Sequence, residues 1–301
     1  MKLCKILIAT TLMSCAVLHA LAADAEEPQP IYSTDILTML DGRPIQGYNI
    51  GGRTLISLDD LGNYGFTVTY DDSVRTLLVN KTHEAPQDTV PEVEQGVGGK
   101  IIGYTVGTDI EAFVNGHYIN TYVVDGKLAA VAEELGDRTE YNSYGFKHSM
   151  YNMECVYSND DRTLSINTNP PGETSYEEKL NKLYEYMQEN LQYTLTHIEE
   201  KEGEYDVVFL EQNNYDERKI THIFLLYHNG LYIDISSILD SVYGFGRFPY
   251  RTVFNGQISE DKTHVLFYGE RYRPTGMRSA EFIEDGNYSV DLYSGIVSKR
   301  N

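Results

Sequence analysis

The chain has no tryptophan, three cysteines in 301 residues, and 24 basic residues against 45 acidic ones. Each shortage excludes something. Cys4 and Cys15 lie in an N-terminal apolar segment, which leaves Cys155 alone in the remainder with no partner for an intramolecular disulfide. Such a chain must hold together by burying a core, and its length allows that. The acidic excess gives a formal charge of −21, which opposes nucleic acid, anionic lipid and anionic wall polymers at contact range. Without tryptophan, flat apolar faces with a polar tip fall to 25 tyrosines, a side chain that also favours strands for its own reasons. Also missing are a calcium loop, a His-Glu-x-x-His zinc helix, a Gly-x-Ser-x-Gly elbow and a phosphate loop.

At the N-terminus, Lys2 and Lys5 precede an apolar core from Ile6 to Leu21 and the small-residue step Ala20-Leu21-Ala22. That order is a secretory signal peptide over residues 1–22, cleaved before Ala23 or Asp24 and too short for a permanent span. Its removal takes the formal charge to −23. In an alternative reading, Leu12-Met13-Ser14-Cys15 is a lipoprotein signal and Cys15 carries the anchor.

A single pattern organises the next half of the chain. From Ile36 an apolar run meets the Asp41-Gly42 turn, then Pro44 and Ile45, a Gly51-Gly52 turn, and Thr54 to Leu58. A short helix follows, with Ser57 as its N-cap and Gly62 or Gly65 as its stop. Phe66, Val68 and Tyr70 alternate as one strand face, Asp71-Asp72-Ser73 turns, and Thr76 to Val79 form a last strand. The punctuation then recurs. Asn115-Gly116, Ile119, Gly126 and Glu134-Leu135-Gly136 lie 74 positions after Asp41-Gly42, Ile45, Gly52 and Asp60-Leu61-Gly62. Arg162-Thr163-Leu164 and Asn167 answer Arg75-Thr76-Leu77 and Asn80 at an offset of 87, so about 13 residues enter between them, around Asp137 to Lys147.

Five features carry a family likeness: Asp41-Gly42-Arg43-Pro44-Ile45, Gly52-Arg53-Thr54-Leu55-Ile56-Ser57-Leu58, the Leu61 helix, Tyr70-Asp71-Asp72, and Arg75-Thr76-Leu77-Leu78-Val79. On them the chain resembles the copper amine oxidase N-terminal-like family, the stalk domain of exported bacterial proteins. The second copy is degenerate, with Lys127-Leu128-Ala129-Ala130 in place of Gly-Arg-Thr-Leu. The resemblance implies a small antiparallel sheet wrapped on a helix, serving as a spacer or binding module. It implies no copper, because the family is named after an accessory domain.

Residues 82–100 carry Pro86, Pro91, scattered acids and late glycines, which reads as a linker or exposed loop between repeats at 32–81 and 101–168. Asn169-Pro170-Pro171-Gly172 marks the next boundary. Ser175 and Glu178 form a capping box for a helix from Tyr176 to Gln192. Strands follow at Tyr193–Glu199, Tyr205–Glu211, Ile220–Tyr227, Leu231–Asp234, Thr263–Glu270, Ser279–Glu284 and Tyr288–Val297, with hairpin turns at Asn229-Gly230 and Asp285-Gly286 and a short helix over Ile235–Val242. The expected class is α+β: two small antiparallel sheet-plus-helix repeats, then an antiparallel α+β domain over 175–301.

Candidate chemistry reduces to a few residues. Asn214-Tyr215-Asp216 is like the quinone-forming motif of copper amine oxidases, but Glu211 stands where its Thr belongs and no His-x-His pair follows. His222 and His228 share strand parity without a third ligand, Cys155 lacks a nucleophile signature, and Gly244-x-Gly246 meets Pro249 where a dinucleotide fingerprint needs glycine. Asp71-Asp72 and Asp160-Asp161 sit where turns are required, and Glu281 with Glu284 is the sort of pair a glycan hydrolase uses. None carries through to a catalytic, cofactor or metal assignment. The expectation is an exported, non-catalytic module of the cell envelope that binds peptidoglycan, another envelope polymer or a partner protein. The alternative is a hydrolase with its site in the C-terminal domain.

Overall fold

The computed structural model describes residues 28–82, 85–94, 96–136, 139–141, 147–149, 151–168, 175–189, 193–201, 204–214, 217–247, 250–276 and 279–300. The signal segment with Cys4 and Cys15, and also Tyr215, Asp216 and Pro249, lie outside the described residues. Strand makes up 52% of the chain and helix 13%, so the α+β expectation holds with helices as covers for sheets.

The first part runs β1 Pro30–Tyr32, β2 Leu37–Leu40, β3 Arg43–Pro44, β4 Gly47–Ile50, β5 Arg53–Ser57, a 3-10 helix Asp59–Tyr64, β6 Phe66–Asp71 and β7 Thr76–Lys81. After residues 85–100 come β8 Ile101–Tyr104, β9 Glu111–Val114, β10 His117–Ile119, β11 Tyr122–Val124, β12 Lys127–Val131 and α1 Ala132–Gly136. A hairpin of β13 Thr139–Tyr141 and β14 Lys147–Ser149 precedes β15 Glu154–Ser158 and β16 Thr163–Asn167. The helix after Leu58 is a 3-10 turn with Leu58 at its N-cap and not Ser57, although the Ser57 hydroxyl still accepts the Asp60 N–H at 3.3 Å. Gly65, at φ +80°, ends it.

These strands do not sort into one sheet per stretch of sequence. One four-stranded sheet has the order β10-β9-β7-β6, another β15-β16-β2-β3, and each draws a hairpin from either side of residues 82–100. Each is joined by a parallel pairing, Thr76 opposite Glu111 in one and Thr163 opposite Leu37 in the other. This corrects the expectation of purely antiparallel sheets. Hairpin signals such as Asp41-Gly42 fix local neighbours; they are silent on which hairpin lies beside which.

A third sheet, β11-β12-β5-β4-β1-β8, is antiparallel throughout, and an antiparallel bridge from Val106 to Val123 joins its two ends. Closure leaves few free strand edges, and Ile31, Ile50, Leu55, Val124, Ala129 and Val131 fill the interior. At its centre Ile56 stands directly opposite Ala130. The main core of the first part lies between this sheet and the two smaller ones, with Leu58, Leu61, Ala132 and Leu135 of the short helices packed among Leu40, Val79, Val114 and Ile166.

The C-terminal part begins with α2 Tyr176–Glu189, whose Ser175 hydroxyl accepts the Glu178 N–H at 3.3 Å as the capping box requires. It continues with β17 Tyr193–Lys201, β18 Tyr205–Asn214, β19 Glu217–Tyr227, β20 Tyr232–Asp234, α3 Ile235–Ser241, β21 Gly246–Arg247, β22 Tyr250–Arg251, β23 Val253–Ile258, β24 His264–Gly276, β25 Ser279–Asp291 and β26 Val297–Arg300. An antiparallel sheet runs β17-β18-β19-β23-β24-β25-β26, with β20 also paired to β19. The Asp285-Gly286 turn is corrected: both residues lie inside β25, and Asp285 faces Glu270 while Gly286 faces Gly269. The strand β23 is absent from the sequence reading, because Asn255-Gly256 looks like a turn and interrupts it.

Strands β18 and β19 are apolar on both faces, and the alternation shows why. Val208, Leu210, Phe224 and Leu226 pack under Leu183 of α2, while Val207, Phe209, Ile223 and Leu225 face the other way. That second face meets α3 and also Leu78 of β7 and Phe113 of β9, so one core runs from the C-terminal sheet into the sheet β10-β9-β7-β6.

Candidate functional site

Among the described residues of the C-terminal part, two places bring together side chains of the kinds a site would use. The first lies where α2 crosses the sheet. Asp206, 1% exposed in the apolar run of β18, accepts the Tyr176 hydroxyl and stands 3.5 Å from His228 Nε2. The Tyr176 and His228 rings meet edge to face at 5.2 Å, and the fully buried Lys179 donates to the Gly230 carbonyl at 2.6 Å. A buried carboxylate holding an imidazole is the orienting half of a nucleophilic triad. Here its other carboxylate oxygen takes the tyrosine hydroxyl, which ties the first turn of α2 to the start of β18 and the end of β19.

The second place is the part of the C-terminal sheet that α2 does not cover. Val253, Val265, Phe267, Tyr288 and Val290 point into the core, so their strand neighbours point the other way. Phe254 pairs with Tyr268, Tyr268 with Asn287 and Asn287 with Arg300, a row of four side chains on one face. Between Phe254 and Gln257 the register slips by one residue, and Asn255 takes φ +54° in that bulge. Bulges bend a strand and re-aim its side chains. Asn255, Gln257, Tyr268, Asn287 and Arg300 line a shallow depression of about 380 Å³. The Tyr268 hydroxyl bonds the Asp285 carboxylate, and its ring stands 6.3 Å from that of Phe254.

No family model, curated protein or solved structure matches this chain. The assignment therefore rests on the side chains themselves.

The residues singled out from sequence are scattered. His222 stacks on Phe224 at 5.5 Å, whereas His228 lies past the end of β19, so the pair is not brought to one site. Among the described residues, no group of three or more His, Cys, Asp or Glu side chains is placed to hold a metal ion. Cys155 is half-buried and its Sγ contacts the Ala132 carbonyl at 2.9 Å. The Gly244 carbonyl accepts the Tyr272 N–H at 2.7 Å. Glu284 is engaged by Lys299 and by Arg271, and Glu281 by Arg273. The hydrogen bond from Lys299, joined by that from Arg271, holds the Glu284 carboxyl below its usual range, the wrong direction for a general acid. Asp71 acts as a turn former through Ser73. Of the tempting motif, Asn214 ends β18, and Tyr215 with Asp216 lies outside the described residues.

Sequence reasoning passed over the residues that do cluster. Lys179 falls beside Leu180 and Leu183 on the covered side of α2, and Asp206 lies in an apolar strand; a charge on a buried stripe is the signal that was there to read. The sheet-face row had none, because its members come from four strands.

Proposed function

We propose that this protein is an exported, non-catalytic binding or spacer module of the cell envelope, built on two interlocked copies of the stalk-like hairpin-helix-hairpin unit. The copies span 32–81 and 101–168, and the C-terminal domain supplies the binding face. The observation that carries the reading is the doubling of contacts. The Arg53–Glu134 ion pair, at 2.9 Å, has its counterpart 74 positions on in Lys127–Asp60 at 2.7 Å, with the chain order reversed. Glu133 accepts the Thr54 N–H, and Asp59 accepts the Leu128 N–H. The Tyr64 hydroxyl bonds the Pro44 carbonyl, and Tyr151, 87 positions later, bonds that of Tyr118. Asp35 meets Arg162, and Asp109 meets Arg75. Two copies exchanging hairpins about an axis near Ile56 and Ala130 account for all of these at once.

Such an interlock favours a rigid support over a moving enzyme. Six strands closed by a bridge, and sheets that each draw strands from both copies, hold the described parts of the two units to one another. The extracytoplasmic setting is supported by the Lys2/Lys5, apolar core and Ala-Leu-Ala order. Among the described residues, no helix is long and apolar enough to cross a membrane. The test is co-sedimentation of the purified chain with isolated cell wall and capture of envelope proteins, beside mass spectrometry of the mature N-terminus. Retention on either matrix and a start near Ala23 support the reading; a lipid on Cys15, or binding to neither matrix, counts against it.

A hydrolase is the second reading, and the Asp206–His228 pair is what favours it. Turnover in a broad esterase, amidase and glycosidase screen that His228→Gln abolishes without unfolding the chain would establish it.

A further inference from the structure

The geometry points to the open face of the C-terminal sheet as a binding site for an uncharged oligosaccharide. This rests on the binding-module reading and adds where the ligand sits and what it is. Three carboxamides, Asn255, Gln257 and Asn287, line the depression. Each offers a donor and an acceptor without charge, which is the complement of vicinal sugar hydroxyls. Phe254 and Tyr268 supply apolar ring faces beside them, and Tyr268 is held in place through Asp285. Asn255 occupies the left-handed region at the bulge, a conformation that Asn tolerates better than most residues and that marks candidate functional positions.

The same observations decide against the other polymers. A peptide adding to a sheet needs a free edge, and the nearest one is β26 at the rim of this face; β24 and β25, which carry Tyr268 and Asn287, are paired on both sides where they cross it, at Val265–Gly269 and Asn287–Val290. A polyanion needs several cations. Among the described residues that line the depression Arg300 is the one cation, on a chain of formal charge −21. Its role is that of a planar donor to a ring or hydroxyl oxygen, beside the Asn287 amide.

The experiment titrates the full chain with β-1,4-linked N-acetylglucosamine tetramer and with β-1,4-linked glucose tetramer, by calorimetry and by amide shift mapping. Binding of at least one of them is expected, with shifts on β23 to β26 and an affinity that does not fall as salt is raised. Asn287→Ala and Gln257→Ala are each expected to weaken it about tenfold, the loss of one or two hydrogen bonds to a ligand. Tyr268→Phe, which keeps the ring, changes it less than Tyr268→Ala. Should Asn287→Ala unfold the chain, Gln257→Ala at the half-open bulge carries the test. No binding of either tetramer, shifts mapping elsewhere, unaltered affinity in the folded variants, or binding only of an extended peptide or a polyanion overturns the assignment. If the chain still sediments with cell wall in that event, the module reading survives and only the site falls; if it sediments with nothing, both fall.

Discussion

The two four-stranded sheets of the first part have the same strand pattern and opposite surroundings. Across β10-β9-β7-β6 runs the row Tyr118, Phe113, Leu78, Thr69; across β3-β2-β16-β15, at the offsets 74 and 87, runs Pro44, Met39, Ser165, Val156. Leu78 and Phe113 are buried under the C-terminal sheet, whereas Met39 and Ser165 are only half-buried and Val156 is 48% exposed. The matched turns differ likewise. A Cβ at Gly42 would meet nothing, and one at Gly116 would come within 2.7 Å of the Asp234 carbonyl oxygen at the start of α3. Of two sheets with one strand pattern, one is a docking face and the other a solvent face, and the difference sits in a few side chains.

Breaking the docked face should have the largest effect. Phe113→Ala is expected to cost about 3–5 kcal/mol, as for a fully buried aromatic, while Met39→Ala at the matched position costs under about 1 kcal/mol. Chemical denaturation measures both, and equal losses would show that the two faces are not distinguished by the C-terminal sheet. Next in size, Gly116→Ala is expected to cost more than Gly42→Ala. Both positions have positive φ, worth about 1–2 kcal/mol to a residue with a Cβ, but only at Gly116 must the neighbouring backbone move as well. A Gly116→Ala protein as stable as the Gly42→Ala one would mean that the turn does not touch α3 in solution.

A third test uses acid. Asp71 accepts the Tyr243 hydroxyl at 2.6 Å, a bond between the two parts of the molecule. Burial tends to raise the Asp71 carboxyl, but bonds from Ser73 and Tyr243 outweigh it and hold it below its ordinary value. A lowered folded-state pKa means that this stabilisation is complete above the unfolded carboxylate pKa, near 4, and fades as pH falls through the folded value. The Tm gap between the parent and Tyr243→Phe should therefore be widest at neutral pH and close in acid; a gap constant with pH would detach the bond from Asp71. The smallest effects belong to the exposed latches. Arg75 grips Asp109 through Nε and Nη2, and Arg162 reaches Asp35 through Nη2 alone. Asp109→Asn should lower Tm slightly more than Asp35→Asn, and both changes should shrink in high salt.

Much of this molecule was legible one element at a time. The turns at Asp41-Gly42, Gly51-Gly52, Asn115-Gly116 and Asn229-Gly230, the capping box at Ser175 and the helix over Ile235–Val242, which the structure ends at Ser241, were read from residues whose conformational preferences act within a few positions. The failures share a cause. Asn255-Gly256 and Asp285-Gly286 carry the same turn chemistry and yet stay within strands: the first pair is absorbed as a bulge between Phe254 and Gln257, and the second is held in β25 by Glu270 and Gly269 of β24. The row Phe254, Tyr268, Asn287 and Arg300 could not be read at all, since its members come from four strands and neighbour one another only after the sheet has formed.

By itself the sequence determined the composition of the elements: where strands turn, where helices cap, and a constant spacing of 74 that sets two stretches in correspondence. Propensity, handed turns and alternation are local, and a chain carries them wherever it goes. Tertiary structure alone decided that hairpins pair across the two stretches in parallel, that Ile56 faces Ala130, and that Leu78 and Phe113 meet a third sheet while Met39 and Ser165 do not. Those choices depend on which burial of apolar surface, summed over the whole chain, removes the most from water.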